Sequence, residues 1–206
     1  PESLTTAVNP LTIQHSYWPL DYNKRNLTGE RPIRINPEDF DADKAALRLD
    51  GKKVFKLPAR LWPMGACTIA FKFNPDKAVE SRQALLLRNG WSSAFDFHML
   101  PDNTLEVTRG EHKLTGKIEL NRWNQVRLSY DGITARLFID EKEVSRQKIP
   151  ISITFGNCTA HIGGGKEGEG VSGLFKELAI QSAPTETLSD LHLPQVKPQA
   201  KVKSIK

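Results

Sequence analysis

Residues 122–140 have the sequence RWNQVRLSYDGITARLFID, and this stretch decides the fold. Apolar and polar side chains alternate on both sides of Asp131-Gly132, a pair that favours a tight turn between antiparallel strands. Since a strand places every second side chain on one face, the alternation predicts an inner and an outer face. The residues predicted to face the core are Val126, Leu128, Tyr130, Ala135, Leu137 and Ile139. The residues predicted to face outward are Arg127, Ser129, Arg136 and Phe138.

The same alternation continues through most of the chain between residues 45 and 181, where short apolar runs are separated by turn residues. Helical periodicity is nearly absent, so the pattern predicts an all-β domain. Many short strands with regular turn signals are typical of an antiparallel two-sheet β-sandwich. The predicted strands are 45–49, 68–73, 83–88, 94–100, 104–109, 123–130, 134–140, 159–163 and 173–180.

The charge distribution argues against a nucleic-acid partner. The 206 residues carry a net charge of +5, but four of the 29 basic residues and only one of the 24 acidic residues lie after residue 186. Residues 1–186 are therefore nearly neutral, whereas nucleic-acid binding needs clustered basic charge on a folded face. No stretch approaches the roughly 18 consecutive apolar residues of a membrane span, so we expect no membrane insertion.

Several segments, taken in order, resemble the laminin-G-like jelly-roll domains of the concanavalin A-like lectin/glucanase superfamily. The segments that carry the resemblance are 15–21, 46–51, 67–73, 122–132, 135–140, 161–164 and 173–180. Their order is more specific than any one of them alone. The resemblance implies a concanavalin A-like jelly roll, in agreement with the sandwich that the alternation predicts.

We expect three regions in the chain. Residues 1–14 form a linker or N-terminal extension, 15–183 form the laminin-G-like domain, and 184–206 form a flexible tail containing Lys and Pro. The two cysteines, Cys67 and Cys158, both lie in or beside apolar segments. One long-range disulfide and two buried free thiols both fit this placement.

The resemblance implies a non-catalytic carbohydrate-binding or adhesion module of a larger extracytoplasmic protein, periplasmic, secreted or on the cell surface. One alternative is a divergent polysaccharide hydrolase or lyase of the same fold. The other is a structural spacer that binds protein, including other domains of its parent. Retaining glycosidases need two carboxylates about 5 Å apart, and neither their alternating acidic motif nor the lyase motif occurs. The sequence therefore favours binding over catalysis.

If the partner is a glycan, we expect its binding face to combine aromatic rings with planar polar side chains on an outward face. The residues predicted to bind such a ligand are Arg88, Trp91, Asp96, His98, Arg127, Arg136 and Phe138. Glu106 shares this predicted outward face. Cross-strand charge pairs and a half-covered aromatic ring, which are common on any sandwich face, are the alternative explanation of the same residues.

No cofactor is expected, except that many relatives hold a structural calcium ion. The candidate ligands in this chain are Asp21, Asp50 and Glu177. Where those relatives have an acidic residue just before the glutamate of the closing strand, this chain has Lys176, whose charge disfavours Ca²⁺.

Overall fold

Fourteen β-strands form the described part of the chain, which in this computed structural model comprises residues 15–20, 33, 35–57, 65–89, 94–150, 159–164 and 170–191. The strands are β1 (His15–Trp18), β2 (Phe40–Asp41), β3 (Ala46–Asp50), β4 (Phe55–Leu57), β5 (Cys67–Pro75), β6 (Gln83–Asn89), β7 (Asp96–Met99), β8 (Thr104–Arg109), β9 (His112–Lys117), β10 (Asn124–Tyr130), β11 (Thr134–Ile139), β12 (Lys142–Lys148), β13 (Thr159–Ile162) and β14 (Ser172–Gln181). The described helices are single 3₁₀ turns, Pro37–Asp39 and Leu188–Asp190.

The strands form two antiparallel sheets. Sheet A has eight strands in the order β12-β11-β10-β5-β14-β3-β2, and β1 pairs with the second half of β14 beyond the end of β3. Sheet B has six strands in the order β4-β13-β6-β7-β8-β9. The prediction of an antiparallel two-sheet sandwich is therefore confirmed.

Aromatic side chains hold the two sheets together. Phe71 of sheet A contacts Phe97 of sheet B edge to face, with ring centroids 5.3 Å apart, and stacks on Phe175 of its own sheet at 5.0 Å. Phe97, Leu128 and Leu137 are all completely buried. This burial agrees with the inner faces predicted for β10 and β11, whereas Arg127, Ser129 and Phe138, which were predicted to face outward, are also buried.

Edge strands account for most of the difference between the predicted and observed strands. The predicted strands all exist, within one or two residues at most ends, but the alternation did not predict β1, β2, β4, β9 and β12. In β12, sequence KEVSRQK, every side chain is at least partly exposed, so no core-facing alternation marks it. The edges of the two sheets meet there, where the Lys113 backbone N–H donates to Gln147 Oε1 at 3.1 Å.

The thiol of Cys67 is buried in the core at the start of β5 as a free cysteine. Burial raises the pKa of this thiol to about 12, against a smaller opposing effect of the positive charge of Arg109. A disulfide between Cys67 and Cys158 was one of the two predicted alternatives, and Cys158 lies outside the described residues.

Three glycines allow the backbone segments to pack closely at one rim of the sandwich. The Gly170 N–H donates to the carbonyl of Gly51 at 3.2 Å. A Cβ atom on Gly170 would lie only 1.5 Å from the carbonyl oxygen of Gly163. Both Gly51 and Gly163 have positive φ, at 77° and 92°, which side chains disfavour. This rim therefore depends on glycine.

We expect Gly170→Ala to lower the free energy of unfolding by about 2 kcal/mol or more. The new methyl group would overlap the carbonyl oxygen of Gly163 and force the two backbone segments apart. Chemical denaturation measures the change. The control is Gly65→Ala, since a Cβ atom there meets nothing within 4 Å. Equal stability of the two variants would contradict the close packing of this rim.

Candidate functional site

The predicted ligand-binding residues divide between the two sheets. Asp96 and His98 lie on β7 in sheet B, whereas Arg127, Arg136 and Phe138 lie on β10 and β11 in sheet A. The outer faces of two stacked sheets point in opposite directions. The residues therefore do not form one surface, and their role in binding stays a prediction for each face separately.

The predicted ligand-binding residue Arg88 lies on β6 in sheet B. Arg88 is in register with Ala160 and lies on the same face of β6 as Leu86, and both of these neighbours are completely buried. Arg88 itself is only 5% exposed, so it faces the core rather than outward as predicted. Trp91 lies outside the described residues.

Residues 183–191 cover part of the outer face of sheet A, and Arg127 holds them there. Its Nη1 donates to the Thr185 carbonyl and its Nη2 to the Glu186 carbonyl, both at 2.9 Å. The guanidinium also lies 3.7 Å from the centre of the Phe138 ring and forms an ion pair with Glu141 at 3.3 Å. Arg127 is 1% exposed, so its donors are used within the fold.

Further contacts make this covering segment, residues 183–191, part of the domain. Thr68 Oγ1 donates to the Ala183 carbonyl at 2.8 Å, and Arg136 pairs with Glu186 at 2.9 Å. Leu188 and Leu191 pack against apolar side chains on the sheet. The tail was predicted to begin at residue 184, but the packing extends the domain to Leu191.

The outer face of sheet B carries a polar network of four side chains: Arg82, His98, Glu106 and Lys113. Arg82 Nε donates to Glu106 Oε1 at 2.6 Å, and its Nη2 donates to His98 Nδ1 at 2.9 Å. Lys113 Nζ pairs with the other Glu106 oxygen at 3.1 Å. Register explains the convergence, because His98 of β7 lies directly opposite Glu106 of β8.

Burial and hydrogen bonds fix the protonation states in this network. Burial, assisted by the positive charge of Arg82, lowers the pKa of His98 to about 4. Because an arginine only donates, the Nδ1 of the neutral ring accepts and the proton is on Nε2. Burial opposes ionisation of Glu106, but the hydrogen bonds from Arg82 and Lys113 outweigh it and lower the pKa of this carboxyl. Both cations are thus held by a buried, ionised carboxylate.

Asp96 lies on the same outer face, in register with Thr108, and is a diagonal neighbour of Glu106. Burial raises the pKa of Asp96 to about 6, although the Arg88 N–H donates to its Oδ1 at 2.8 Å. Diagonal neighbours lie about 7 to 8 Å apart, and both oxygens of Glu106 already contact cations. This spacing is larger than the roughly 5 Å between the two carboxyl groups of retaining glycosidases.

Comparisons with known proteins agree with this architecture. A sequence-family model described as the concanavalin A-like lectin/glucanases superfamily, of laminin-G type, matches residues 49–187, more than half of the chain. The chain belongs to this superfamily. A search of curated proteins gave no significant match to this superfamily domain.

Solved structures similar to this superfamily domain come from larger proteins. Domain 4 of AbnA, an extracellular GH43 arabinanase from Geobacillus stearothermophilus solved with arabinotriose, has a TM-score of 0.63 and 18% identity over 82% of this chain and 92% of its own. Trypanosoma rangeli sialidase has a TM-score of 0.62 and 11% identity over 82% of this chain and 30% of its own. The binding domain of botulinum neurotoxin DC, in complex with SialylT, has a TM-score of 0.60 and 13% identity over 82% of this chain and 47% of its own. This domain thus spans less than half of the length of the sialidase chain and of the neurotoxin chain. Sequence identities this low show a shared fold and nothing more.

The described part of this superfamily domain does not bring the predicted calcium ligands together. Asp50 is in register with Ser172 at the start of β14. Glu177 follows Ser172 by five residues, so Asp50 and Glu177 lie roughly 15 Å apart along the strand. Lys72 Nζ contacts one oxygen of Glu177 at 2.7 Å, and Lys176 Nζ lies 3.8 Å from the other. Among the described residues no group of three metal-binding side chains occurs. Asp21 lies outside them, so a calcium site involving it stays a prediction.

Within the described ranges, no helix is both long and apolar enough to cross a membrane.

We expect Arg127→Met to lower the free energy of unfolding by about 2 to 4 kcal/mol, because it leaves two covering-segment carbonyls without their donors. Denaturation measures the loss, and hydrogen exchange of residues 183–191 should rise with it. The control is Arg146→Met, which removes an exposed arginine paired with Glu143. Unchanged exchange in the Arg127 variant would contradict its role as the anchor.

We expect the ring of His98 to titrate near pH 4 in NMR, assigned by comparison with His98→Gln. Since the folded pKa lies below the ordinary 6.5, the associated stability is lost as pH falls from about 6.5 to about 4. Arg82→Gln should raise this pKa, because it removes a positive charge from the ring's neighbourhood. Arg146→Gln should leave it unchanged. Titration near pH 6.5 in the wild type would rule out the buried network.

Proposed function

We propose that this domain is a non-catalytic carbohydrate-recognition module that binds its ligand on the outer face of sheet B. One observation carries the proposal: the network fixes two partly exposed cationic side chains on a sheet face. The side chain of Arg82 is 46% exposed and that of Lys113 is 63% exposed, whereas that of Glu106 is 5% exposed. The carboxylate therefore holds the donors in place while leaving them accessible.

The chemistry of such a face suits sugars. Carbohydrates present hydroxyl and ring oxygens, which accept hydrogen bonds from guanidinium and ammonium groups. Donors already held in position lose less conformational entropy on binding than free side chains do. Thr115 and Lys117 on β9 are also exposed and extend the polar face.

The structural neighbours support a sugar ligand by analogy. The arabinanase domain was solved with arabinotriose and the neurotoxin binding domain with SialylT. The neighbouring arabinanase is extracellular, which favours the same location for this protein. We therefore include an extracytoplasmic location and attachment to a larger parent protein in the proposal.

Binding to a panel of polysaccharides in affinity gel electrophoresis tests the proposal. At least one glycan should retard the wild type, and Arg82→Gln should weaken that retardation by about tenfold, the loss of one charged hydrogen bond. The control is Arg146→Gln on β12 of the opposite sheet. A panel with no retardation at all would reject the proposal, and equal retardation of both variants would reject this face as the site.

A structural or protein-binding spacer is the second candidate, because the chain's own residues 183–191 cover part of the outer face of sheet A. The contacts on that face contribute to stability, so substitutions there should change the free energy of unfolding more than they change ligand affinity. Release of products from the same polysaccharide panel would instead identify a divergent hydrolase or lyase.

A further inference from the structure

A polar pocket of about 250 Å³ lies at the glycine-rich rim of the sandwich. It forms where β3 ends at Asp50, β14 begins at Ser172 and β6 begins at Gln83. Lys52 and Lys77 also line it. Three separate chain segments thus contribute polar side chains to one concave surface.

The pocket has a rigid base. Gly51 and Gly170 line it, and the Gly170 N–H donates to the Gly51 carbonyl at 3.2 Å. A Cβ atom on Gly51 would lie 3.1 Å from the Gly170 carbonyl oxygen, so the two backbones are in close contact. Val79, another lining residue, is buried and anchors the connection between β5 and β6. The base is therefore part of the fold.

The acidic groups around the pocket are already engaged. Asp50 Oδ1 accepts the backbone N–H groups of Lys53 at 2.8 Å and Lys52 at 2.9 Å, and the hydrogen bond from Lys53 is the main reason that its pKa is lowered. Asp76 pairs with Arg48 at 2.9 Å and accepts from Ser172 Oγ at 3.1 Å.

Unlike these acidic groups, the two lysines of the pocket are not engaged in ion pairs with the described residues. Both Lys52 and Lys77 are exposed, and neither forms an ion pair with a carboxylate of the described residues. Lys53, their neighbour, is by contrast paired with Asp39. The pocket lining thus carries two ammonium groups and one carboxylate, that of Asp50, beside the amide of Gln83, and its net charge is positive.

The pocket adjoins the polar network. Gln83 lines the pocket, and the preceding residue, Arg82, belongs to the network on sheet B. The network adds positive charge, since Arg82 and Lys113 share the single carboxylate of Glu106 while His98 is neutral. A ligand crossing from the sheet face to the rim would therefore meet four basic side chains, Lys52, Lys77, Arg82 and Lys113, against the three carboxyl groups of Asp50, Asp96 and Glu106.

We propose that the rim pocket binds an anionic group, a carboxylate or a sulfate, of an acidic polysaccharide whose chain continues onto the outer face of sheet B. This inference rests on the proposed function and specifies its ligand class. Lys52 and Lys77 supply the charge, and the side-chain amide of Gln83 supplies neutral hydrogen-bond donors.

Affinity electrophoresis with polygalacturonate, dextran sulfate and neutral dextran tests the inference. The wild type should bind one or both acidic polymers and bind dextran at least about tenfold more weakly, with an affinity that falls as salt rises. Lys52→Gln combined with Lys77→Gln should weaken acidic binding by about tenfold or more. Polygalacturonate and dextran sulfate distinguish a carboxylate from a sulfate as the bound group.

The matched control is Lys142→Gln combined with Lys148→Gln, which removes the same charge from exposed positions on β12. An equal loss in both double variants would overturn the pocket, because it would show an effect of net charge alone. Equal binding of dextran and the acidic polymers would overturn the inference and leave the proposed function standing. Failure to bind these polymers or any member of the wider panel would reject both. Thermal unfolding confirms that each variant is folded.

Discussion

The contact of Phe71 with Phe97 across the two sheets is the interaction on which the rest of the structure depends. Phe71 also stacks on Phe175, so strands β5, β7 and β14 meet at one buried aromatic cluster. Once these rings face inward, the period of two sends their neighbours Ala70, Lys72 and His98 to the outer faces. The chemistry of each outer face is thus a consequence of how the core is filled.

The same period explains how much of the fold was predictable. Strands β10 and β11 alternate clearly because each has one buried and one outer face, so both strands, their turn and their faces were predicted from the sequence. Strand β12 lies at the edge of sheet A, where even Val144 is 38% exposed. An edge strand with little burial has no reason to alternate, and backbone pairing with β11 alone defines it.

The candidate site was less predictable because it depends on which strands are neighbours. Alternation placed Asp96, His98 and Arg127 outward, but it carries no information on which sheet each strand joins. Arg82 was missed because it precedes β6 in a connection without periodicity, and it meets Glu106 only through the registers of β6 with β7 and of β7 with β8. The covering segment was not predicted because Arg127 binds it through backbone carbonyls. Every residue has a backbone carbonyl, so no side-chain pattern in the sequence indicates this contact.

The two outer faces use buried charge in opposite ways. On sheet A the buried group is a cation, Arg127, and its donors are consumed by the chain's own carbonyls, so the face is covered around Arg127. On sheet B the buried group is an anion, Glu106, and the cations that compensate it are the exposed partners. Burying a carboxylate is unfavourable unless it is paired, so Glu106 requires Arg82 and Lys113 to remain close. The requirement fixes these two cations in space, and a surface of fixed donors discriminates between ligands by their geometry as well as by their charge.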